Sequence, residues 1–190
     1  MADAAKRRST YAEYLAFEEA SAERHEFVAG EILAMAGGTI EHGRIMSRLT
    51  VLLSAALGGR PCVVLPSDVR VRIRAADRAT YPDLHVVCGR VERDADDQNA
   101  VTNPVVVIEV LSDSTAAGDR GDGSPTTAGS PASRVRARVS AGAPGDVYHR
   151  DGRRWVLDEH RRAEAVRLDA LDVTIPVDDI CVDALGPIVA

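Results

Sequence analysis

A carboxylate set in or beside an apolar strand is the feature that constrains this chain most, and it occurs twice. Tyr81-Pro82-Asp83 leads into the apolar run Leu84 to Cys88, and Val105-Val-Val-Ile-Glu109-Val-Leu-Ser112 carries Glu109 among residues that are otherwise almost all apolar. A buried, unpaired carboxylate is costly, so each stretch calls for a compensating partner. A bound metal ion would compensate both. Proline fixes its own backbone and pushes the preceding residue to an extended conformation, which sets Asp83 where a strand begins. The near-continuous apolar character of Val105 to Leu111 marks a strand buried on both faces.

With 190 residues, the chain is long enough for one domain with a proper core. Residues 1–10 read as a flexible N-terminus and 11–190 as a single domain. Hydrophobic residues at 45% and charged residues at 27% are ordinary for a soluble globular protein. No run approaches the ~18 apolar residues of a membrane span, and no apolar signal core follows Lys6, Arg7 and Arg8. A cytoplasmic protein with no membrane partner is therefore expected. Cys62, Cys88 and Cys181 are odd in number, far apart and without metal-ligand spacing, so buried free thiols are expected. The net charge of -6 argues against a protein that coats nucleic acid, and it leaves room for a local basic groove.

Along the chain, Thr10-Tyr-Ala-Glu13 has the spacing of a capping box. It predicts a helix from Tyr11 to about Glu19 with Tyr14, Leu15 and Phe17 inward. His25 to Val28 and Glu31 to Met35 flank Ala29-Gly30 as a hairpin. After Thr39, the residues Ile45, Leu49, Leu52, Leu53 and Ala56 form one stripe of an amphipathic helix that Gly58-Gly59 should end. Cys62 to Leu65 and Val69 to Arg74 read as strands, the second with Val69, Val71 and Ile73 on one face and Arg70, Arg72 and Arg74 on the other. That arginine row is either a solvated face or a track for a DNA backbone. Asp77 to Thr80 reads as the turn into Tyr81, and Glu92 to Gln98 as an acidic loop. Beyond Val147 the pattern is that of a β-meander closing the sheet edge, with a hairpin turn at Asp151-Gly152. The last stretch, Val177 to Ala190, carries no interpretable motif.

Taken in order, Phe17-Glu-Glu, Arg24-His-Glu-Phe-Val, Gly30-Glu-Ile, Met35-Ala-Gly-Gly, Glu41-His, Ser67-Asp-Val-Arg-Val, Tyr81-Pro-Asp83, Asn103-Pro104 and Glu109-Val-Leu-Ser resemble the Uma-type family of putative restriction endonucleases, part of the PD-(D/E)XK nuclease superfamily. The resemblance runs from Tyr11 to about Arg120 and resumes from Val147 through Ile175-Pro. It implies a mixed α/β (α+β) fold: a restriction endonuclease-like core with an N-terminal helix and hairpin and a C-terminal meander. It also implies a metal pair, Asp83 and Glu109, that binds Mg2+ or Mn2+ and hydrolyses DNA, with Glu31 and His42 as secondary catalytic candidates. Hard oxygen ligands suit such an ion. Read from the residues alone, Asp83 could stabilise a turn and Glu109 could pair with a buried arginine. Double-strand cutting would favour a homodimer.

One departure bears on activity. The family brings a lysine on a helix after Asp119-Arg120-Gly121, whereas the one lysine of this chain is Lys6, and from Ser112 to Gly145 there is no Leu, Ile, Met, Phe, Tyr or Trp. Residues 122–146 are atypical, either a frame-shifted reading of the coding DNA or true divergence with Arg134 to Val139 as an alternating strand. Arg120 could replace the charge of the lysine but not its proton transfer. Impaired cleavage is expected, with a catalytically inactive nucleic-acid-binding relative, or an interaction domain without metal, as the alternatives.

Overall fold

The computed structural model describes residues 7–35, 37–111, 135–140, 145–151, 154–183 and 185–188. The expectations for the N-terminal six residues, for Lys6, for Arg120 and for most of the atypical segment lie outside these residues.

Helix α1 (Tyr11–Ala20) begins where the capping box predicts: the Glu13 backbone N–H donates to Thr10 Oγ1, and the Thr10 backbone N–H donates to Glu13 Oε2. Replacing Thr10 by alanine leaves helical N–H groups without an acceptor and should cost about 1 kcal/mol, measurable as a lower urea midpoint with an unchanged slope. Tyr14 is fully buried and Leu15 packs beside it, but Phe17 stays 46% exposed. Its ring meets His25 edge-on at 4.8 Å, so the helix turns a narrower face inward than its apolar residues suggest. Strands β1 (His25–Val28) and β2 (Glu31–Ala34) form the expected hairpin, with Ala29 and Gly30 both at positive φ in the turn.

Helix α2 (Ile40–Ala56) is capped by Thr39, whose side chain accepts from the His42 N–H. It buries Ile45, Leu49 and Leu53, with Leu57 rather than Ala56 completing the stripe. The strands that follow are β3 (Cys62–Pro66), β4 (Arg70–Ile73), β5 (Arg78–Thr80), β6 (Leu84–Cys88), β7 (Ala100–Val101), β8 (Val106–Leu111), β9 (Val135–Ser140), β10 (Gly145–Asp151) and β11 (Arg154–His160). Two sheets result, in the orders β2-β1-β5-β4-β7 and β11-β10-β9-β8-β6-β3. The pairs β4 with β7 and β8 with β9 are parallel. Strand β8 is central, with Val106, Val107 and Ile108 at 1% exposure or less. Alternation makes this possible: Leu84, Val86, Val106, Ile108 and Val110 meet the α2 stripe in the main core. The second core packs Tyr14, Phe27 and Ala79 beneath α1.

Four expectations change in the structure. The segment after Asp77 is not all turn: Asp77 takes the left-handed conformation at φ 45, and Arg78–Thr80 at once forms β5 between β1 and β4. Cys62 and Cys88 are not free thiols, because the β3–β6 register sets them directly opposite and they form a disulfide. Cys181 is buried and free. The meander is also only partly one sheet. Strand β11 forms the edge, whereas β12 (Ala165–Leu168) and β13 (Val173–Pro176) make a separate ribbon. That ribbon packs Val166, Leu168, Val173 and Ile175 onto the main core. Lastly, the tail folds into α3 (Val177–Ile180) and the small hairpin β14 (Val182–Asp183) and β15 (Gly186–Pro187). Arg44 of α2 clamps that hairpin with two hydrogen bonds to the Asp183 carboxylate and one to the Gly186 carbonyl. These bonds hold the Asp183 carboxyl well down, to about 2. No helix among the described residues is long and apolar enough to cross a membrane.

Candidate active site

The two anomalous carboxylates lie on neighbouring strands. Strands β6 and β8 pair antiparallel through Leu84↔Ile108, His85↔Val107 and Val86↔Val106, and the next step of that register sets Asp83 opposite Glu109. The Val110 backbone N–H donates to Asp83 Oδ2 at 2.7 Å, which fixes the carboxylate against the neighbouring strand. His42, in the first turn of α2, brings Nε2 to 3.2 Å from Asp83 Oδ1. Asp83 and His42 side chains keep 18% and 17% exposure, so the site is recessed yet open to solvent.

The other sheet closes on this pair. Because Phe27 pairs with Ala79 and Val28 with Arg78, the residues Glu26, Val28, Arg78 and Thr80 share the face opposite to α1. Thr80 Oγ1 donates to the Glu26 carboxylate. Burial pushes the Arg78 guanidinium below its ordinary value, and the Glu26 and Glu109 carboxylates act on it in the opposite sense. Arg78 is thus within electrostatic reach of one carboxylate in each sheet. Glu31 lies on the same face, opposite Val28, but is exposed on edge strand β2. Glu26 and Arg78 were not singled out by sequence reasoning. Glu26 differs from the other hairpin charges only in its register, and Arg78 was assigned to a turn.

A layer of hydrogen bonds supports the Tyr81-Pro82-Asp83 entry. Tyr81 Oη donates to Glu18 Oε1 and accepts from Arg70 Nη1, and Arg70 grips Asp97 through Nε and Nη2. Burial alone would raise the Asp97 carboxyl, but the Arg70 bonds and the Asn99 N–H hold it below its usual range. Asp97 also accepts from Tyr11 Oη at 3.0 Å, and burial with the Asp97 charge pushes that phenol up.

This network corrects the picture of an open arginine row. Arg70, Arg72 and Arg74 do alternate against Val71 and Ile73, but none is a bare cation on a solvated face. Arg72 is 7% exposed, sits 3.9 Å from the centre of the Tyr11 ring and pairs with Asp77. Arg74 leaves the strand in a 3₁₀ turn and binds Asp94 and Asp96. The acidic loop supplies the counter-ions of Arg70 and Arg74, with Asp94 and Asp97 at 1% and 5% exposure.

Strand β9 lies beside β8, and its backbone register sets Arg138 next to Glu109. Among the described residues, no group of three or more His, Cys, Asp and Glu is placed to hold a metal ion. The hard donors present are carboxylate oxygens on paired strands.

A mixed α+β sheet covered by α2, with a carboxylate pair where two of its strands meet, is a restriction endonuclease-like architecture. The crystal structure of a putative nuclease belonging to DUF820 from Anabaena variabilis shares the fold, with a TM-score of 0.64 and 14% identity over 84% of this chain and 90% of that one. The chain belongs to the Uma2 family, described as putative restriction endonuclease, whose model matches residues 11–127. The uncharacterized protein slr1290 of Synechocystis is 34% identical over 170 residues, 88% of each chain. A second Synechocystis protein, the uncharacterized sll1609, is 39% identical over 111 residues, 58% of this chain and 63% of that one.

Proposed function

We propose that this chain is a metal-dependent endonuclease that hydrolyses DNA phosphodiester bonds, with Asp83 and Glu109 as the metal-holding pair. The observation that supports the reading is the hydrogen bond that pins Asp83 to the Val110 N–H, one residue from Glu109, where the β6–β8 register extended by one step would face the two carboxylates. Mg2+ keeps several waters and takes one or two carboxylates plus substrate oxygens. An open pair therefore fits it, or Mn2+, better than a closed cage would. When bound, the ion offsets charge on the scissile phosphate and lowers the pKa of an attacking water. The chain's own residues supply the rest: Val110 and His42 orient Asp83, and Glu26 and Arg78 set the charge of the opposite wall. A homodimer would present two such sites to the two strands of a duplex.

A non-cleaving, DNA-binding relative is the second reading, favoured by one observation: the only lysine of the chain is Lys6, and arginine does not transfer protons. Supercoiled plasmid incubated with Mg2+ or Mn2+, beside Asp83→Ala and Glu109→Ala, separates the two. Nicking that falls about 10²-fold or more in both variants, together with loss of calorimetric Mn2+ binding, supports the nuclease. Metal-independent duplex binding without nicking supports the relative. Cleavage and Mn2+ binding that survive both substitutions would rule out the carboxylate pair.

A further inference from the structure

We propose that Arg78 is the phosphate-facing cation of this site, the residue that meets the DNA backbone beside the carboxylate pair. The inference rests on the phosphodiester reading above and adds to it a residue that neither the motifs nor the family match assigns.

Arg70, Arg72 and Arg74 each hold an aspartate at 2.6 to 2.8 Å, so the charge of each is neutralised within the fold; Arg72 keeps Nε and Nη1 without a hydrogen-bond partner, but it lies against the Tyr11 ring. Arg78, on the next strand, joins no such close pair among the described residues. Its Nε is buried and has no hydrogen-bond partner there, although the side chain feels Glu26 and Glu109 from the two sheets. A half-buried guanidinium with an unused donor and no close counter-ion is costly to keep. Structural need does not explain it, because strand β5 could carry an apolar residue opposite Val28 and Ile73.

An incoming phosphate removes that cost. Guanidinium offers a planar fork that matches phosphate oxygens, and it is less strongly hydrated than an ammonium. A cation held by the metal pair would also compete with Arg78 for Glu109, leaving the guanidinium available to an anion just where the scissile group must lie. Carboxylates alone would repel DNA from this recess. A fixed positive charge in the opposite wall offsets that repulsion without occupying the metal position.

The test uses a labelled DNA duplex with Ca2+, followed by fluorescence anisotropy over a range of salt, with Mn2+ calorimetry on the same proteins. Arg78→Gln should weaken duplex binding about tenfold and lower the salt slope by about 1, while Mn2+ binding is retained. Arg78→Lys should restore the slope, since the charge returns. Wild-type slope and affinity in a folded Arg78→Gln would overturn the inference while leaving the metal pair intact. Loss of Mn2+ binding on Asp83→Ala tests the metal reading by itself, and a wild type that binds Mn2+ but no duplex overturns the DNA reading together with the Arg78 role while leaving the metal pair. If Arg78→Gln fails to fold, the wild type decides: Arg78 guanidinium NMR resonances, assigned through Arg78→Lys, must shift on saturation with duplex. Unchanged resonances would overturn the inference.

Discussion

Reducing the Cys62–Cys88 disulfide is expected to lower the melting temperature by roughly 5–15 °C, corresponding to about 2–4 kcal/mol for a protein of this size. The bond closes a loop with a sequence separation of 26 residues, so breaking it returns conformational freedom mainly to the unfolded chain. Its position adds a second reason. Strand β3 is the edge of the six-stranded sheet, held laterally only by β6, and β6 begins directly after Asp83. Register pairs Cys62 with Cys88 at one end and Pro66 with Leu84 at the other, so freeing the stapled end loosens the strand that leads to the carboxylate. Both cysteines are partly exposed, which gives a reductant access. Thermal unfolding with and without a phosphine reductant, repeated on Cys62→Ser and Cys88→Ser, is the measurement. The reduced wild type and both variants should melt together, and a variant that melts with the oxidised wild type would show that the bond does not stabilise the native state. Cys181 serves as the internal control, because its thiol is buried and makes no disulfide.

Local features were legible in the sequence wherever one segment carried its own pattern. Thr10 with Glu13 located the start of α1, and the Ile45-Leu49-Leu53 stripe located α2, because caps and helical periodicity are written within a few turns. The two carboxylates were legible as misfits in apolar surroundings. Their pairing was expected only from the family resemblance, since it depends on the β6–β8 register across a separation that no local pattern encodes. The same limit explains the cysteines, whose pairing follows from the β3–β6 register. Arg78 and Glu26 were missed for a related reason: β5 has three residues, too short for periodicity to distinguish it from a turn, and Asp77 before it is turn-like. For Arg70, Arg72 and Arg74, the alternation was read correctly, but the counter-ions of Arg70 and Arg74, Asp97 and Asp94 with Asp96, lie 20 or more residues on in a segment whose composition alone suggests a solvated loop, and Asp77, which pairs with Arg72, was read as part of a turn. Family motifs carried the fold as far as β8, and beyond it the strand order had to come from the structure.

Acidification should destabilise this protein through His85 before its carboxylates begin to protonate. His85 is 0% exposed, lies between Leu65 of β3 and Val107 of β8, and has no hydrogen-bond partner on either ring nitrogen among the described residues. Burial drives its pKa down from 6.5 to about 4, since a charged imidazole there would lose its hydration with nothing in return. The folded value is thus depressed below the unfolded one. As pH falls through 6.5, the unfolded chain takes up a proton that the native state refuses, and stability declines until about 4, where the native imidazole also protonates. Over that window the loss should reach about 3 kcal/mol. Asp183, held down to about 2 by Arg44, keeps its contribution above the ordinary carboxylate value and loses it only as pH drops from there toward 2, so the two effects separate. Urea unfolding of wild type and His85→Leu across this range is the test. Leucine retains an apolar fill between Leu65 and Val107 and removes the titrating group, so the variant should gain on the wild type steadily as pH falls from 6.5 to about 4. A constant difference between the two proteins over that range would mean that His85 does not stay neutral in the fold, and that the face of β6 it shares with Asp83 is reached by water.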